Sequence, residues 1–425
     1  NIGDSNIVAI STTWNHSLLL DDNGKVYGWG NNRYGRIGNG SGSDSGTGIG
    51  TNANTIIPTQ LTSNIGDSNI VAISAGKYHS LFLDENGKVY GCGKNENGRL
   101  GNGVEGAEWV QNGGYIFSIT PIPITSNIGD LNIVAISAGK DNSLFLDNNG
   151  KVYGCGFNQD GKLGNGTSSG NILIPTQITN TIVDLNIKKI SAGYNHSVFL
   201  DDNGKVYSCG NNYNGQLGLG DTVKRYAPTQ ITGNIGDSNI VAISSGEEHS
   251  LFLDDKGKVY GCGNNYYGRF GINTFDGNTL TPTQITYNNF GDSNIVAISA
   301  GIKYSLFLDD NGKVYSCGAN SFGRLGNSVN LNNSTTNAFI DFYYTLTPKQ
   351  FTSDLNIVAI SAGNNHSLFI DADVIMEQSS LTASLGGGGD AVQDGSSPGK
   401  ALSGGGGSGG SIGNYSGGKG GSGVV

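Results

Sequence analysis

Short apolar runs alternate with polar turns along this chain, and the same block of pattern returns seven times. Its clearest copy is VAISAGKYHSLFLDENGKVYGCGKNENGRLGNG, residues 71–103. The opening tetrads begin 53 to 63 residues apart, at Val8, Val71, Val134, Lys188, Val241, Val296 and Val358. A period of this size predicts an array of supersecondary units, each of which buries its apolar face against a neighbour.

Each unit contains four strand candidates separated by turn residues. In the second unit the first three read NIVAIS, HSLFLD and GKVYGCG. Asp-Asn-Gly turns, such as residues 22–24, join the second strand to the third, and Asn-Gly supplies the positive φ values that tight hairpins need. The fourth candidate is a PTQIT-like segment, whose proline suits an exposed edge strand. Four antiparallel strands per unit predict the blades of an all-β propeller.

These motifs closely resemble the repeats of the regulator of chromosome condensation family, the RCC1-like proteins. The matching segments are GKVYGCGKNENGRLGNG (87–103), GKVYSCGNNYNGQLGLG (204–220) and the SAGxxHS element at 191–197. The resemblance covers roughly residues 1–372 and implies a seven-bladed β-propeller. The seventh unit stops after Ser361–Asp371, so its third and fourth strands are missing. In the family, the segment before the first strand supplies them. We therefore expect a segment upstream of Asn1, an incompletely closed last blade, or a substitute from residues 373–385.

Composition and charge narrow the classes of partner. Of the 425 residues 71 are glycine and 14% are charged, which is typical of a turn-rich all-β protein. The net charge of −10 argues against a general affinity for nucleic acid or an anionic membrane surface. No run of 18 apolar residues occurs, so we expect no membrane insertion. A protein is therefore the expected partner.

The cysteines and histidines follow the repeat, which favours structural roles. Both sets occupy one fixed position per unit: Cys92, Cys155, Cys209, Cys262 and Cys317, and His16, His79, His196, His249 and His366. Metal ligands must converge on one ion, whereas residues on separate blades diverge. No Ser-His-Asp or Cys-His arrangement leaves the repeat register. We expect free core thiols suited to synthesis in a reducing cytoplasm, and neither a metal, a cofactor nor a catalytic group.

The loop after the third strand departs from the family pattern in its charge. It usually reads Gly-Gln-Leu-Gly in the family, a form that Gln216 keeps. Five other units carry a cation there: Arg36, Arg99, Lys162, Arg269 and Arg324. Strand alternation places these loops on the face opposite the Asp-rich hairpins. One interpretation is a cationic ring that binds an acidic partner. The alternative is that each cation binds carbonyl groups or an acidic side chain of the next blade.

Insertions between the third and fourth strands break the period in units 1, 2 and 6. They span residues 41–56, 104–120 and 328–347, and in a ring these units form one arc around unit 7. Exposed loop aromatics are typical anchors of protein interfaces. The candidates for partner binding are Trp109, Tyr115, Phe117, Phe342, Tyr343 and Tyr344. The alternative is that these rings fold back over the blade edge.

The end of the chain has a different composition. After a connector at 373–385, residues 386–425 include 18 glycines among 40 residues. Such a composition is typical of a flexible linker. The segment also weakly resembles the glycine-rich C-terminal regions of phage and viral fibre proteins, which implies self-assembly and display on a particle or surface.

The expected function is therefore a non-enzymatic, protein-binding or structural propeller scaffold. The family resemblance implies two alternatives: guanine-nucleotide exchange on a small GTPase, and inhibition of an enzyme by a propeller face. No segment of the sequence matches the wedge and acidic residues that nucleotide exchange requires.

Overall fold

Six four-stranded antiparallel sheets and one two-stranded sheet follow one another along the chain in a computed structural model. The structure describes residues 2, 5–42, 54–103, 117–274, 277–286, 290, 293–326, 344–350 and 355–372. The connector and glycine-rich tail predicted at 373–425 therefore lie outside the described residues.

Each four-stranded sheet is a simple meander that forms one blade. Blade 1 contains β1 (Ile7–Thr12), β2 (His16–Asp21), β3 (Val26–Asn31) and β4 (Asn54–Gln60). Blade 2 contains β5 (Ile70–Ala75), β6 (His79–Asp84), β7 (Val89–Lys94) and β8 (Phe117–Pro123). Blade 3 contains β9 (Ile133–Ala138), β10 (Asn142–Asp147), β11 (Val152–Phe157) and β12 (Asn171–Gln177).

The second half of the chain repeats the same arrangement. Blade 4 contains β13 (Ile187–Ala192), β14 (His196–Asp201), β15 (Val206–Gly210) and β16 (Arg225–Gln230). Blade 5 contains β17 (Ile240–Ser245), β18 (His249–Asp254), β19 (Val259–Asn264) and β20 (Asn278–Gln284). Blade 6 contains β21 (Ile295–Ala300), β22 (Tyr304–Asp309), β23 (Val314–Ala319) and β24 (Tyr344–Gln350). The seventh sheet contains β25 (Ile357–Ala362) and β26 (Ser367–Asp371).

The sequence prediction of an all-β propeller is confirmed, and the number of blades is corrected. The four predicted strands appear in six units, with the repeated proline on the outer strand, as at Pro58 in β4 and Pro348 in β24. Six complete blades are present in the described residues, not seven. The seventh repeat contributes two strands because its sequence carries no third and fourth strand before the described residues end at Ala372.

The hydrophobic core is divided into interfaces between neighbouring blades. In the interface of blades 1 and 2, Leu18 and Leu20 of β2 pack with Phe82 and Cys92 of the next blade. The other pairs of adjacent blades form equivalent clusters. Each blade thus buries one face against its neighbour on either side, as the repeat period predicts.

The two-stranded seventh sheet closes the inner part of the ring. Ala359 and Ile370 pack with Ile10, Leu19 and Tyr27 of blade 1. This cluster has five buried members, whereas the cluster between blades 1 and 2 has ten. The seventh sheet therefore closes the ring near the axis, whereas few buried side chains close it toward the outside.

The outer part of the ring has a gap beside the seventh sheet. In blades 1 to 5, the loop after the third strand packs against the outer strand of the next blade. A Cβ added at Gly268 would meet Leu346, whereas one added at Gly323 of blade 6 would meet nothing within 4 Å. Next to it, Phe322 is 82% exposed, and Ile56 on the outer strand of blade 1 is 85% exposed. These two side chains mark the two sides of the position that a third and fourth strand of the seventh sheet would cover.

Within the described part of the chain, no helix has the length and apolar character needed to cross a membrane. Self-assembly through residues 386–425 stays a prediction, since it concerns residues outside the described ranges.

Candidate functional site: the axial loops

Seven short loops converge around the propeller axis on one face. Each joins the first strand of a repeat to the second and carries two residues just before the repeated histidine position. We call these pairs the axial-loop surface: Trp14 and Asn15, Lys77 and Tyr78, Lys140 and Asp141, Tyr194 and Asn195, Glu247 and Glu248, Ile302 and Lys303, and Asn364 and Asn365. Cations, anions, aromatic rings and amides all occur at these positions, although the flanking residues repeat.

A ring of histidines holds the axial loops together from blade to blade. His16 Nε2 lies 2.8 Å from Ser80 Oγ, and the same contact joins His79 to Ser143, His196 to Ser250, and His249 to Ser305. His366 reaches Ser17 at 3.1 Å, which links the seventh sheet back to blade 1. The serine hydroxyl donates its own proton to a loop carbonyl, as Ser80 does to Arg36 O. In the four contacts other than His366–Ser17, the serine therefore accepts a hydrogen bond from Nε2–H, and these imidazoles act as neutral donors.

Burial keeps these imidazoles uncharged. It lowers the pKa of His196 to about 3 and that of His366 to about 4, and it places the pKa of the other three well below the usual 6.5. The Nδ1 atoms of His16, His79, His196 and His249 are buried without a hydrogen-bond partner among the described residues. A proton added there would have no acceptor, so the structure supports the predicted structural role of the histidines.

The five cations predicted as a ring are buried beneath the axial loops. Arg36 Nη1 donates to Lys77 O at 3.0 Å, and the cation of each later unit reaches the equivalent carbonyl of the next blade. Exposure is below 5% for all of them: Arg36, Arg99, Lys162, Arg269 and Arg324. This burial corrects the interpretation of an exposed cationic ring and supports the alternative, in which each cation binds the next blade.

Burial also shifts the ionisation of these cations. It lowers the pKa of Arg36 to about 10 and that of Lys162 to about 8. The charge of Arg99 is compensated by Asp141, whose Oδ1 lies 2.9 Å from Arg99 Nη1. In unit 4, Gln216 takes the place of the cation, and its side chain forms hydrogen bonds within its own loop, to Asn211 and Asn214. The cations therefore fix the backbone of the axial loops. Their charges interact with groups inside the fold and not with a partner at the surface.

Four side chains meet at the centre of the axial-loop surface. Lys77 Nζ lies 3.6 Å from the centroid of the Trp14 ring and donates to Tyr194 Oη at 2.8 Å. Lys140 Nζ lies 4.1 Å from the Tyr194 ring centroid. We call Trp14, Lys77, Lys140 and Tyr194 the axial cluster. A cavity of about 40 Å³ adjoins it and is also lined by Glu247 and Ile302.

The charges on this surface are unevenly placed. The axial loops of blades 2 and 3 carry Lys77 and Lys140, whereas that of blade 5 carries Glu247 and Glu248. Glu248 lies 3.5 Å from Arg269. Burial, and then the neighbouring Glu248, raises the pKa of Glu247 above its usual value. The surface thus has a basic side and an acidic side, which suits a partner of mixed charge more than a uniformly charged polymer.

The structure places two of the predicted aromatic anchors, and both contact the preceding blade. Phe117 begins β8, is 9% exposed and lies 6.2 Å, centroid to centroid, from Tyr34. Tyr344 begins β24 and stacks on Tyr267 at 4.7 Å. The other four, Trp109, Tyr115, Phe342 and Tyr343, lie outside the described residues. Partner binding by these insertions stays a prediction, and the two placed rings show the folded-back arrangement.

The cysteines occupy the blade interfaces. All five are buried and unpaired, and burial raises the pKa of each thiol. No group of three or more His, Cys, Asp or Glu residues in the described ranges is arranged to hold a metal ion.

Most of the axial-loop surface was missed by reasoning from the sequence. The signal is present in the sequence, since two positions differ in chemical class among the units although the residues around them repeat. The repeat by itself indicates architecture, and it therefore directs attention to the insertions and away from these two positions.

Comparison with protein families matches the repeated units. The model described as "Regulator of chromosome condensation (RCC1) repeat" matches residues 23–83, 86–146, 149–200, 203–253, 256–308 and 311–370. A second model with the same description matches six segments between residues 7 and 324.

Similar proteins differ widely in their whole-chain organisation. The Ultraviolet-B receptor UVR8 of Arabidopsis thaliana is 28% identical over 365 residues, which cover 86% of this chain and 74% of the receptor. The probable E3 ubiquitin-protein ligase HERC6 of Homo sapiens is 29% identical over 267 residues, 63% of this chain and 25% of the ligase. The chain therefore spans about a quarter of that relative.

Solved structures share the fold. Human WBSCR16 superposes with a TM-score of 0.71 and 22% identity, covering 87% of this chain and 88% of that one. Prp20p of Saccharomyces cerevisiae, whose structure was described together with its binding to Gsp1p and histones, superposes with a TM-score of 0.66 and 23% identity, covering 87% and 84%. Identities at this level show a common fold and nothing finer.

Proposed function

Because the chain belongs to the regulator of chromosome condensation (RCC1) repeat family, we propose that it is a non-enzymatic, protein-binding propeller that holds its partner on the axial-loop surface. The observation that carries this proposal is the contrast between frame and surface. Histidines, serines and buried cations repeat in most blades, while the fourteen side chains that they position include cations, anions, aromatic rings, amides and an aliphatic residue.

The physical arrangement suits recognition of a protein. The loops are held by bonds to neighbouring blades, so little conformational entropy is lost when a partner docks. The surface combines aromatic rings with lysines and glutamates, and aromatic residues are enriched at protein interfaces. A protein partner is also consistent with Prp20p, which has the same fold and binds Gsp1p and histones. Guanine-nucleotide exchange and enzyme inhibition have no specific observation in their favour here and stay predictions.

Matched charge changes on the two faces test the proposal. Asn15 and Lys303 are exposed on the axial-loop surface, and Asn203 and Lys256 are exposed at hairpin turns of the opposite face. Immobilised protein is used to capture partners from a lysate of the source organism, with quantification by mass spectrometry. We expect Asn15→Glu with Lys303→Glu to reduce the protein captured by wild type by about tenfold or more, since interface charges of the wrong sign cost over 1.4 kcal/mol.

The control is Asn203→Glu with Lys256→Glu, which makes the same change of charge on the hairpin face. Capture should be retained by this variant, and both variants should keep the wild-type melting temperature. Equal capture by both variants, or loss confined to the hairpin-face variant, would contradict the proposal.

A further inference from the structure

The axial cluster has more cations than acceptors. Lys77 Nζ donates one hydrogen bond, to Tyr194 Oη, and in the described part of the chain no carboxylate forms an ion pair with it. Lys140 Nζ lies 3.8 Å from Asp141 Oδ2, but Asp141 already binds Arg99 at 2.9 Å. One carboxylate therefore pairs with both Arg99 and Lys140, and no carboxylate of the described residues lies within 4.0 Å of Lys77 Nζ. Ammonium groups carry three donors each, so donors are left at both lysines.

An aromatic ring and both lysines lie beside one cavity. Trp14, Lys77 and Lys140 line it, whereas the Trp14 Nε1 atom is buried out of reach of solvent. The Trp14 ring therefore contributes an apolar wall, and the two ammonium groups are the donors at this cavity. The cavity of about 40 Å³ exceeds the roughly 10–15 Å³ that one water needs, so it has room for a group of a few atoms.

The donors and charges select the chemistry of that group. A cation is excluded because the Trp14 face already carries Lys77 Nζ and the Tyr194 face carries Lys140 Nζ. A polyanion such as a nucleic acid is opposed by the net charge of −10 of the whole chain. A single carboxylate is small, accepts several hydrogen bonds and can pair with Lys77, which forms no ion pair with a carboxylate of the described residues.

We propose that the axial cluster binds the carboxylate of an aspartate or glutamate side chain, which the protein partner inserts between Lys77 and Lys140. This inference rests on the proposed function, because docking on the axial-loop surface is what brings such a side chain to the cluster. The carboxylate accepts hydrogen bonds from the two ammonium groups and neutralises one of their charges. The axial cluster is thus the specificity-determining centre of the interface.

The test uses fluorine NMR of the full chain labelled with 5-fluorotryptophan. The protein has three tryptophans, and Trp14→Phe identifies the Trp14 signal. The probe is the peptide acetyl-Gly-Ser-Glu-Ser-Gly-amide, titrated at constant ionic strength, and its matched control carries Gln in place of Glu. We expect the Glu peptide to shift the Trp14 signal saturably at millimolar concentration and to leave the other two signals in place, whereas the Gln peptide shifts none.

Three variants decide which groups bind the probe. Lys77→Met and Lys140→Met should each weaken binding of the Glu peptide by about tenfold or more, since a charge-assisted hydrogen bond is lost. Lys256→Met, on the hairpin face, should leave the dissociation constant unchanged. The Lys140 side chain is 26% exposed, so we expect Lys140→Met to keep the fold and to give a result even if Lys77→Met alters it.

The outcomes separate this inference from the proposed function. Equal shifts with the Glu and Gln peptides, no saturable shift, or unchanged affinity in both lysine variants would overturn the carboxylate site. If partner capture still depends on Asn15 and Lys303 in that case, the proposed function stands without it. If the Glu peptide binds as expected but the changes at Asn15 and Lys303 leave partner capture unaltered, the carboxylate site is supported and the proposed docking surface is wrong.

Discussion

Lowering the pH from 8 to 5 should unfold this protein far more readily than its carboxylates alone would allow. Four of the histidines are fully buried and His366 is partly buried, and the pKa of each is lowered by burial. A base with a lowered folded pKa binds its proton more tightly in the unfolded chain, so stability is lost as the pH falls below the unfolded value of about 6.5. At pH 5 each histidine removes about 2 kcal/mol, and five remove about 10 kcal/mol, which is comparable to the whole stability of a typical domain.

The measurement is the melting temperature by calorimetry, together with the free energy of unfolding in urea, between pH 8 and 5. We expect a slope that corresponds to the uptake of about five protons on unfolding. His79→Asn copies the residue that unit 3 carries naturally at Asn142, and it should reduce that uptake by about one proton whatever its effect at pH 8. A free energy of unfolding that stays constant between pH 8 and 5 would show that the imidazoles are not held neutral by the fold.

A hairpin supplied to the seventh sheet should raise the melting temperature by about 5 °C or more. The gap leaves Phe322 and Ile56 exposed, and burying two such side chains contributes roughly 3–6 kcal/mol. The chain contains a suitable hairpin, since residues 234–244 have the same sequence as residues 1–11. A copy of residues 203–233 fused before Asn1 therefore enters β1 in the register that blade 4 uses to enter β17.

The copied hairpin matches both sides of the gap. In blade 4, Tyr226 contacts the loop of blade 3 at Gly161, and Gly215 lies against Leu280 of blade 5. In the fusion, the copy of Tyr226 would cover Phe322, and the copy of Gly215 would lie against Ile56. A control fusion carries Val206→Gly and Tyr226→Gly in the copied segment, which weakens strand pairing and removes the covering ring. If both fusions melt at the temperature of the unfused protein, the gap does not accept a hairpin.

Local patterns predicted the strands well because each one is short, alternates or runs apolar, and ends at a loop rich in Gly, Asn or Asp. The location of β6 and β7 could be read from HSLFLD and GKVYGCG alone. The packing of the seventh repeat was harder to predict. Two strands that pack through Ala359 and Ile370 can close a ring only if the first blade offers a matching surface. That depends on three-dimensional fit, which one unit's pattern does not contain.

The contacts of the buried cations also depend on three-dimensional fit between blades. An arginine on a glycine-rich loop is normally exposed, and the sequence does not reveal that the carbonyl of Lys77 lies within reach of Arg36. That carbonyl belongs to a residue 41 positions away on another blade. The axial cluster was likewise invisible, because Trp14 and Tyr194 are 180 residues apart and meet only when the ring closes, with centroids 6.3 Å apart.

Site-specific photocrosslinking tests most directly whether the axial-loop surface binds the partner. A benzophenone amino acid is placed singly at Asn15 or Lys303 on that surface, at Asn203 or Lys256 on the hairpin face, and at Trp109 or Tyr343 in the insertions. After irradiation in a lysate of the source organism, the crosslinked species are identified by mass spectrometry. The axial-loop account predicts that one protein crosslinks from Asn15 and Lys303 and not from Asn203 or Lys256. A partner that crosslinks only from the hairpin face or only from the insertions would contradict it.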